Sequence, residues 1–317
     1  ASVSGRQIIR ISIWLLTWIN TLGVRAGGKV QLITTLLKLA PLFLIALGGL
    51  FFIKLEYFQP FNLSGLSSFE AVTATAAMTL FAFLGVECAT IPSGAVEGPE
   101  KTIPRATLIG TVITTVVYIF GTLSVLGAVP PSVLQTSLTP FADAAAVMFG
   151  ESSKYWVGAG VAISAFGALN GWILIQGQVP YAIAKDKLFP SVFAKENKKG
   201  APAMGIVISS LFVSLLVGMN YTKGLVEQFE FLVLLTTTTI LIPYLFSAGA
   251  LVILYAERKI FNTKGWANTI FIGTGAFLFS LWAVAGTGQE SVFWGFLLLL
   301  AGIPFYIWVT INRNKKN

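Results

Sequence analysis

Apolar residues run along this chain in long blocks separated by turn and charge signals. A helix needs roughly 20 predominantly apolar residues to cross a bilayer core of about 30 Å. Reading for such blocks gives nine: 8–24, 30–53, 69–95, 106–128, 155–180, 203–219, 229–255, 266–286 and 291–311. Most boundaries carry glycine, proline or charge, as at Gly27-Gly28-Lys29, Lys101 to Arg105, Pro130-Pro131, Lys198-Lys199-Gly200 and Arg258-Lys259. The pattern predicts an all-α polytopic membrane protein with nine transmembrane helices. The segment 131–150 is too mixed to be a span. Its Ser132, Gln135, Asp143, Val133, Leu134 and Phe141 predict an outside loop with one or two short amphipathic helices against the bundle, the alternative being a solvated loop.

Composition agrees with the pattern. Of 317 residues, 55% are hydrophobic and 11% charged, whereas soluble domains are about 25% charged. This excludes an ordinary soluble enzyme, a disordered tail and a nucleic-acid-binding domain. The formal charge of +8 therefore asks which side of a membrane the positive residues occupy. With nine spans, fifteen of the 21 Lys and Arg residues fall in alternate loops and the C-terminal tail, five fall on the other face, and Lys38 lies within the second span. By the positive-inside rule the C-terminus is expected in the cytoplasm and Ala1 outside, in a plasma (inner) membrane. There is no histidine, which excludes HExxH zinc sites and Ser-His-Asp triads, and the single Cys88 permits no internal disulfide. No cofactor or metal is expected.

An ionisable residue inside a span is costly and is a functional candidate by default. Two stand out. Glu87 sits in Phe81-Ala82-Phe83-Leu84-Gly85-Val86-Glu87-Cys88, among small and helix-breaking residues. A helix that breaks near Phe83–Gly85 would leave backbone groups that persist at membrane depth only where they line a cavity or are buried in protein. Discontinuous helices of this kind form substrate sites in secondary transporters. Glu87 is then a candidate proton-exchanging group; the alternative is a structural carboxyl bonded to a neighbouring helix. Lys38 lies about 13 Å along its helix from Lys29 at 1.5 Å per residue. It reads either as a fixed internal cation holding parts of the bundle together or as a lysine that snorkels to the interface. Trp172 follows Gly167-Ala168-Leu169-Asn170-Gly171. Small residues before it would leave room for a ligand on the ring face, which can hold a cation; the alternative is an aromatic core filler. The hydroxyls of Thr236 to Thr239 would either line a path or bond back to their own helix.

These residues resemble those of amino acid permeases of the amino acid–polyamine–organocation superfamily, with similarity to the arginine–agmatine antiporter branch. The resemblance is carried by Phe83, Gly85, Glu87, Glu97, Pro99, Lys101 and Ile103-Pro104-Arg105-Ala106. A second motif is Ala184, Asp186, Leu188-Phe189-Pro190, Gly200 and Pro202. The family fold has twelve helices, the first ten forming two inverted repeats of five. The resemblance implies that the nine spans are family helices four to twelve. Residues 1–317 would then form one transmembrane domain: 8–53 ends the first repeat, 69–255 is the second, and 266–311 adds two helices. On this reading the chain is expected to be a truncated permease carrying about half a binding site.

The resemblance also implies roles. Backbone carbonyls around Phe81, Ala82 and Leu84 would accept from a substrate ammonium, and Trp172 would stack on the substrate. Glu87 would serve proton coupling, and Lys38 would replace a sodium site. Phe81 stands where the arginine–agmatine branch has a tryptophan gate, and that branch lacks the lysine at position 38. The implied function is sodium-independent secondary transport of amino acids by alternating access. It would be proton-coupled or run by exchange, with a cationic amino acid or amine as substrate, the lipid bilayer as environment, no nucleic acid, and a homodimer left open. A polytopic membrane enzyme is the alternative. It would need paired acid/base groups, metal ligands or an activated nucleophile, and none is readable here.

Overall fold

The computed structural model describes residues 3–86, 88, 96–219, 225–257 and 266–314. Each of the nine expected spans contains a helix among these residues. The first two are α1 (Val3–Thr21) and α2 (Val24–Gly48), which runs on through a tighter turn at Gly49–Phe52. Next come α3 (Ser68–Leu80) and α4 (Pro99–Ala128). The mixed segment forms α5 (Pro131–Leu134) and α6 (Pro140–Phe149), as its pattern predicts. Then follow α7 (Ser153–Lys185), α8 (Ala203–Met219), α9 (Leu225–Glu257), α10 (Trp266–Gly286) and α11 (Gln289–Asn314). Six of these are long and apolar enough to cross a bilayer: α2 with its turn, α4, α7, α9, α10 and α11. The other three expected spans are shorter or more polar: α1 carries Arg6 and Arg10, α3 stops at Leu80, and α8 has 17 residues.

Boundaries follow local chemistry. Pro99 and Pro140 occupy the first turns of α4 and α6, where a missing N–H costs nothing. Ser67 begins α3 with a reciprocal cap: its hydroxyl accepts from the Glu70 N–H while the Glu70 carboxylate accepts from the Ser67 N–H at 3.1 Å.

The chain divides into two compact units. The first comprises Ala1–Phe61, Gly85–Thr222 and Tyr306–Asn317, and the second Asn62–Leu84 and Lys223–Phe305. In the first unit α7 packs against α1, α2, α6 and α8. Its main apolar core joins Ile45, Val125, Val129, Ala145, Met148 and Val157, so α6 is seated on the bundle.

The α2–α7 seam shows how a helix is placed when lipid is the solvent. The outer face of α2 presents Leu32, Ile33, Leu36 and Leu37, each more than half exposed. Its inner face carries Gly27, Gln31, Thr34 and Pro41, and small residues of α7 meet them. A Cβ added at Gly160 would lie 2.6 Å from Pro41 Cγ, and one at Gly167 would lie 2.4 Å from Thr34 Oγ1. Leucine gains nothing by leaving a hydrocarbon phase, so close backbone approach and polar contacts hold such helices together.

In the second unit α3 packs against α9 and α10, which pack on each other. Gly286 lets α10 approach α3, since a Cβ there would lie 2.9 Å from the Thr73 carbonyl oxygen. Three hydroxyls of the threonine run on α9 bond back to their own helix. Thr237, Thr238 and Thr239 donate to the carbonyls of Val233, Leu234 and Thr236. Thr238 also bonds Thr287 at 2.7 Å.

Candidate functional site

The expected helix break is present, and it starts earlier than the composition suggested. α3 ends at Leu80, and Phe81–Phe83 form a single tighter turn. Leu84 is extended (φ −66°, ψ 141°) and Gly85 has φ +102°. A residue with a side chain is strained at that φ, so Gly85 is what lets the chain leave the helix there. The Leu84 N–H donates to the Phe81 carbonyl at 3.2 Å, and the Cys88 N–H donates to the Gly85 carbonyl at 3.1 Å. A carbonyl oxygen has a second lone pair, so the Phe81 carbonyl retains acceptor capacity for a ligand.

Trp172 lies beside Gly85, within the first unit. A Cβ added at Gly85 would sit 3.9 Å from Trp172 Cζ2. The Trp172 residue is 40% exposed; in the sequence, the small residues before it read as leaving room for a ligand on its ring face. The small residues before it do not provide that room, contrary to the reading from composition. Gly167 faces Thr34, and Gly171 faces Gln31, whose Oε1 would lie 3.2 Å from an added Cβ. They let α2 and α7 approach closely.

Lys38 is partly buried on α2. Thr34 and Pro41, on the same helical face, meet Gly167 and Gly160 of α7. The antiparallel register of that seam places position 38 opposite Ile163 and Ser164. Glu87 lies outside the described residues.

Sequence reading missed a buried amide cluster in the first unit. Asn20 and Asn170 are both fully buried. Asn170 Nδ2 donates to the Gly27 carbonyl at 3.0 Å and to Gln31 Oε1 at 3.1 Å. Asn20 Nδ2 donates to Asn170 Oδ1 at 3.0 Å and to the Leu16 carbonyl at 2.9 Å. A second chain joins Thr17, Ser210 and Gln176, with Ser210 Oγ accepting from both others at 2.7 and 3.2 Å. The available signal was the presence of Asn and Gln inside apolar spans, where an amide must find a partner.

The second unit holds a cavity of about 520 Å³ lined by Leu80, Leu241, Tyr244, Leu251, Ile272 and Phe279 among others. Its predominantly apolar walls suit hydrocarbon better than a charged amine. Among the described residues no group of His, Cys, Asp and Glu could hold a metal ion.

Comparison with known proteins bears on the same residues. Residues 3–310 match the family model described as amino acid permease. The putrescine transporter PotE of Haemophilus influenzae is 33% identical over 306 residues, covering 96% of this chain and 70% of the relative. The putrescine transporter PotE of Escherichia coli K12 is 32% identical over 321 residues, covering 100% of this chain and 73% of the relative. A putative arginine/ornithine antiporter of Escherichia coli K12 is 26% identical over 310 residues, covering 96% and 65% respectively. The chain belongs to the amino acid permease family and is a multi-pass membrane transporter, not an enzyme.

Proposed function

We propose that this protein moves a cationic amine or amino acid across the membrane by alternating access, in exchange or coupled to protons and without sodium. The observation that carries the reading is Gly85, where φ of +102° takes the chain out of the helix and the partly exposed Trp172 lies 3.9 Å from an added Cβ. A break supplies backbone acceptors of fixed direction for an ammonium group. An indole face supplies attraction for a cation without adding a fixed negative charge. In this reading the carbonyls of Phe81, Ala82 and Leu84 hold the ammonium and Trp172 covers the rest of the substrate. The relatives named for putrescine and for arginine and ornithine point to the same class of cation. Lys38, on the inner face of α2, supplies the positive charge that a sodium ion would otherwise bring, and Glu87 exchanges the coupled proton. The excess of basic residues in alternate loops supports a cytoplasmic C-terminus.

The test is counterflow into proteoliposomes carrying the protein as its gene encodes it. Putrescine, ornithine and arginine are offered on either side, with sodium replaced by potassium. Exchange among these cations without sodium is expected; a strict sodium requirement would overturn the role of Lys38. Trp172→Ala is expected to weaken binding by at least ~1 kcal/mol, about fivefold in Kd, if the ring covers the substrate. An unchanged Kd returns Trp172 to packing. Glu87→Gln is expected to flatten the pH dependence of uptake, and an unaltered pH profile removes the proton role.

A further inference from the structure

We propose that Asn170 is a positioning residue for Trp172: its buried amide fixes the rotation of α7 and so aims the indole at the Gly85 break. The inference deepens the proposed function and rests on it for its effect on substrate affinity.

The argument begins with the seam. Gly160, Gly167 and Gly171 bring α7 close to α2. Contacts made through glycines set the distance between two helices well, but they do little to set the angle of one helix about its own axis. Hydrogen bonds are directional, and Asn170 supplies three of them at one point. Its Nδ2 reaches two groups of α2, the Gly27 carbonyl and Gln31 Oε1, and its Oδ1 accepts from Asn20 of α1. Two helices therefore hold one amide from two directions.

The orientation of the pair has no good alternative. Turning the Asn20 amide over would set its oxygen against the Leu16 carbonyl and Asn170 Oδ1, both acceptors. In the orientation it adopts, Asn20 Oδ1 is buried without a hydrogen-bond partner. It lies so close to α2 that a Cβ at Gly27 would sit 2.2 Å from it. The cluster thus tolerates an unpaired acceptor in order to present its donors to Asn170 and Leu16. A group needed only to fill space would not require that arrangement.

The link to the site is angular. Residues two apart on an α-helix point roughly 200° apart. With Asn170 held against α1 and α2, Trp172 is directed to the other side of α7, where Cζ2 comes within 3.9 Å of a Cβ position at Gly85. Loss of the amide bonds frees α7 to turn, and a small turn carries the ring away from the break.

The experiment separates aim from affinity. In a chain whose only tryptophan is Trp172, a nitroxide is attached at Cys88, the single cysteine, whose N–H bonds the Gly85 carbonyl. Quenching of Trp172 then reports its distance from the break without substrate. Asn170→Ala is expected to lower quenching to roughly half or less, and Gln31→Leu, which removes one of the three bonds, to lower it less. Substrate affinity is expected to fall about threefold in Asn170→Ala, no more than in Trp172→Ala, and the double variant with Trp172→Ala is expected to bind no worse than Trp172→Ala alone. Unchanged quenching in folded Asn170→Ala overturns the proposal, and Gln31→Leu decides it should that variant fail to fold. Multiplying losses in the double variant likewise overturn it in favour of a purely structural amide. Reduced quenching with unchanged affinity sustains the positioning role and overturns the reading of Trp172 as a substrate contact.

Discussion

Gly85→Ala is expected to abolish most transport while leaving the protein folded. Gly85 has φ +102°, and a side chain in such sparsely populated backbone costs on the order of 1–3 kcal/mol. Space is not the obstacle, because the nearest atom to an added Cβ, Trp172 Cζ2, would lie at 3.9 Å, an ordinary contact. The backbone is. To relieve the strain the chain must rotate Gly85 toward negative φ, and that rotation redirects the extended Leu84 and the turn before it. The carbonyls proposed to hold the ammonium then point elsewhere. If the strain is expressed in the substrate-bound state alone, it corresponds to roughly five- to 150-fold in affinity or uptake. The control is Gly150→Ala. Gly150 also has positive φ (+88°) and nothing within 4 Å, and it lies between α6 and α7. It should suffer similar backbone strain and lower thermal stability without changing substrate Kd. Uptake and thermal unfolding measured on both variants decide the matter: equal loss of uptake in the two would make the Gly85 effect a matter of folding.

Gly177→Val is expected to be among the most destabilising single changes in the first unit. Here α7 and α8 cross with backbones nearly in contact. A Cβ at Gly177 would lie 2.3 Å from Ile206 Cγ1, and one at Gly205 would lie 3.1 Å from the Gly177 carbonyl oxygen. Ile206 is fully buried beside Leu16 and Ile173, so it can yield only by displacing them. Overpacking of this kind costs about 1–3 kcal/mol, and valine adds two further carbons beyond the Cβ. The matching control lies on the same helix. Gly158 has nothing within 4 Å of an added Cβ, and Gly158→Ala should be neutral or gain up to about 1 kcal/mol from helix propensity. Thermal unfolding in lipid or detergent reads both. A Gly177→Val protein as stable as its parent would mean that α7 and α8 separate readily.

The two glycines act by different physics. Gly85 is required for its own backbone angle, and Gly177 is required for what stands next to it. The glycine itself does not separate them, since Phe83-Leu84-Gly85-Val86 and Ile175-Gln176-Gly177-Gln178 both place it within an expected span; only the Glu87 that follows marks Gly85 as a break. Gly167 and Gly171 make the same point. Beside Trp172 they read as space for a ligand, yet in the fold their bare faces meet α2.

What the sequence determined by itself was the set of elements and the family. Blocks of apolar residue long enough to cross hydrocarbon are a one-dimensional property, because each helix satisfies its own backbone hydrogen bonds and needs no partner to do so. For the same reason the weak point near Phe83–Gly85 was legible, as a glycine in a crowded run before an ionisable residue. Trp172 stood out because small residues preceded it, although those residues proved to serve another contact. Only the tertiary structure decided which side of each helix is the inside. In lipid, leucine does not mark the core, so the apolar pattern that locates α2 leaves its inner face unassigned. That face was decided by close approach at Gly160 and Gly167 and by the amides of Asn20, Gln31 and Asn170. These lie up to 150 residues apart in the chain, and their meeting depends on three helices packing at once. The direction of Trp172 is the consequence: its identity was written in the sequence, and its aim was set by a hydrogen bond on the opposite side of its helix.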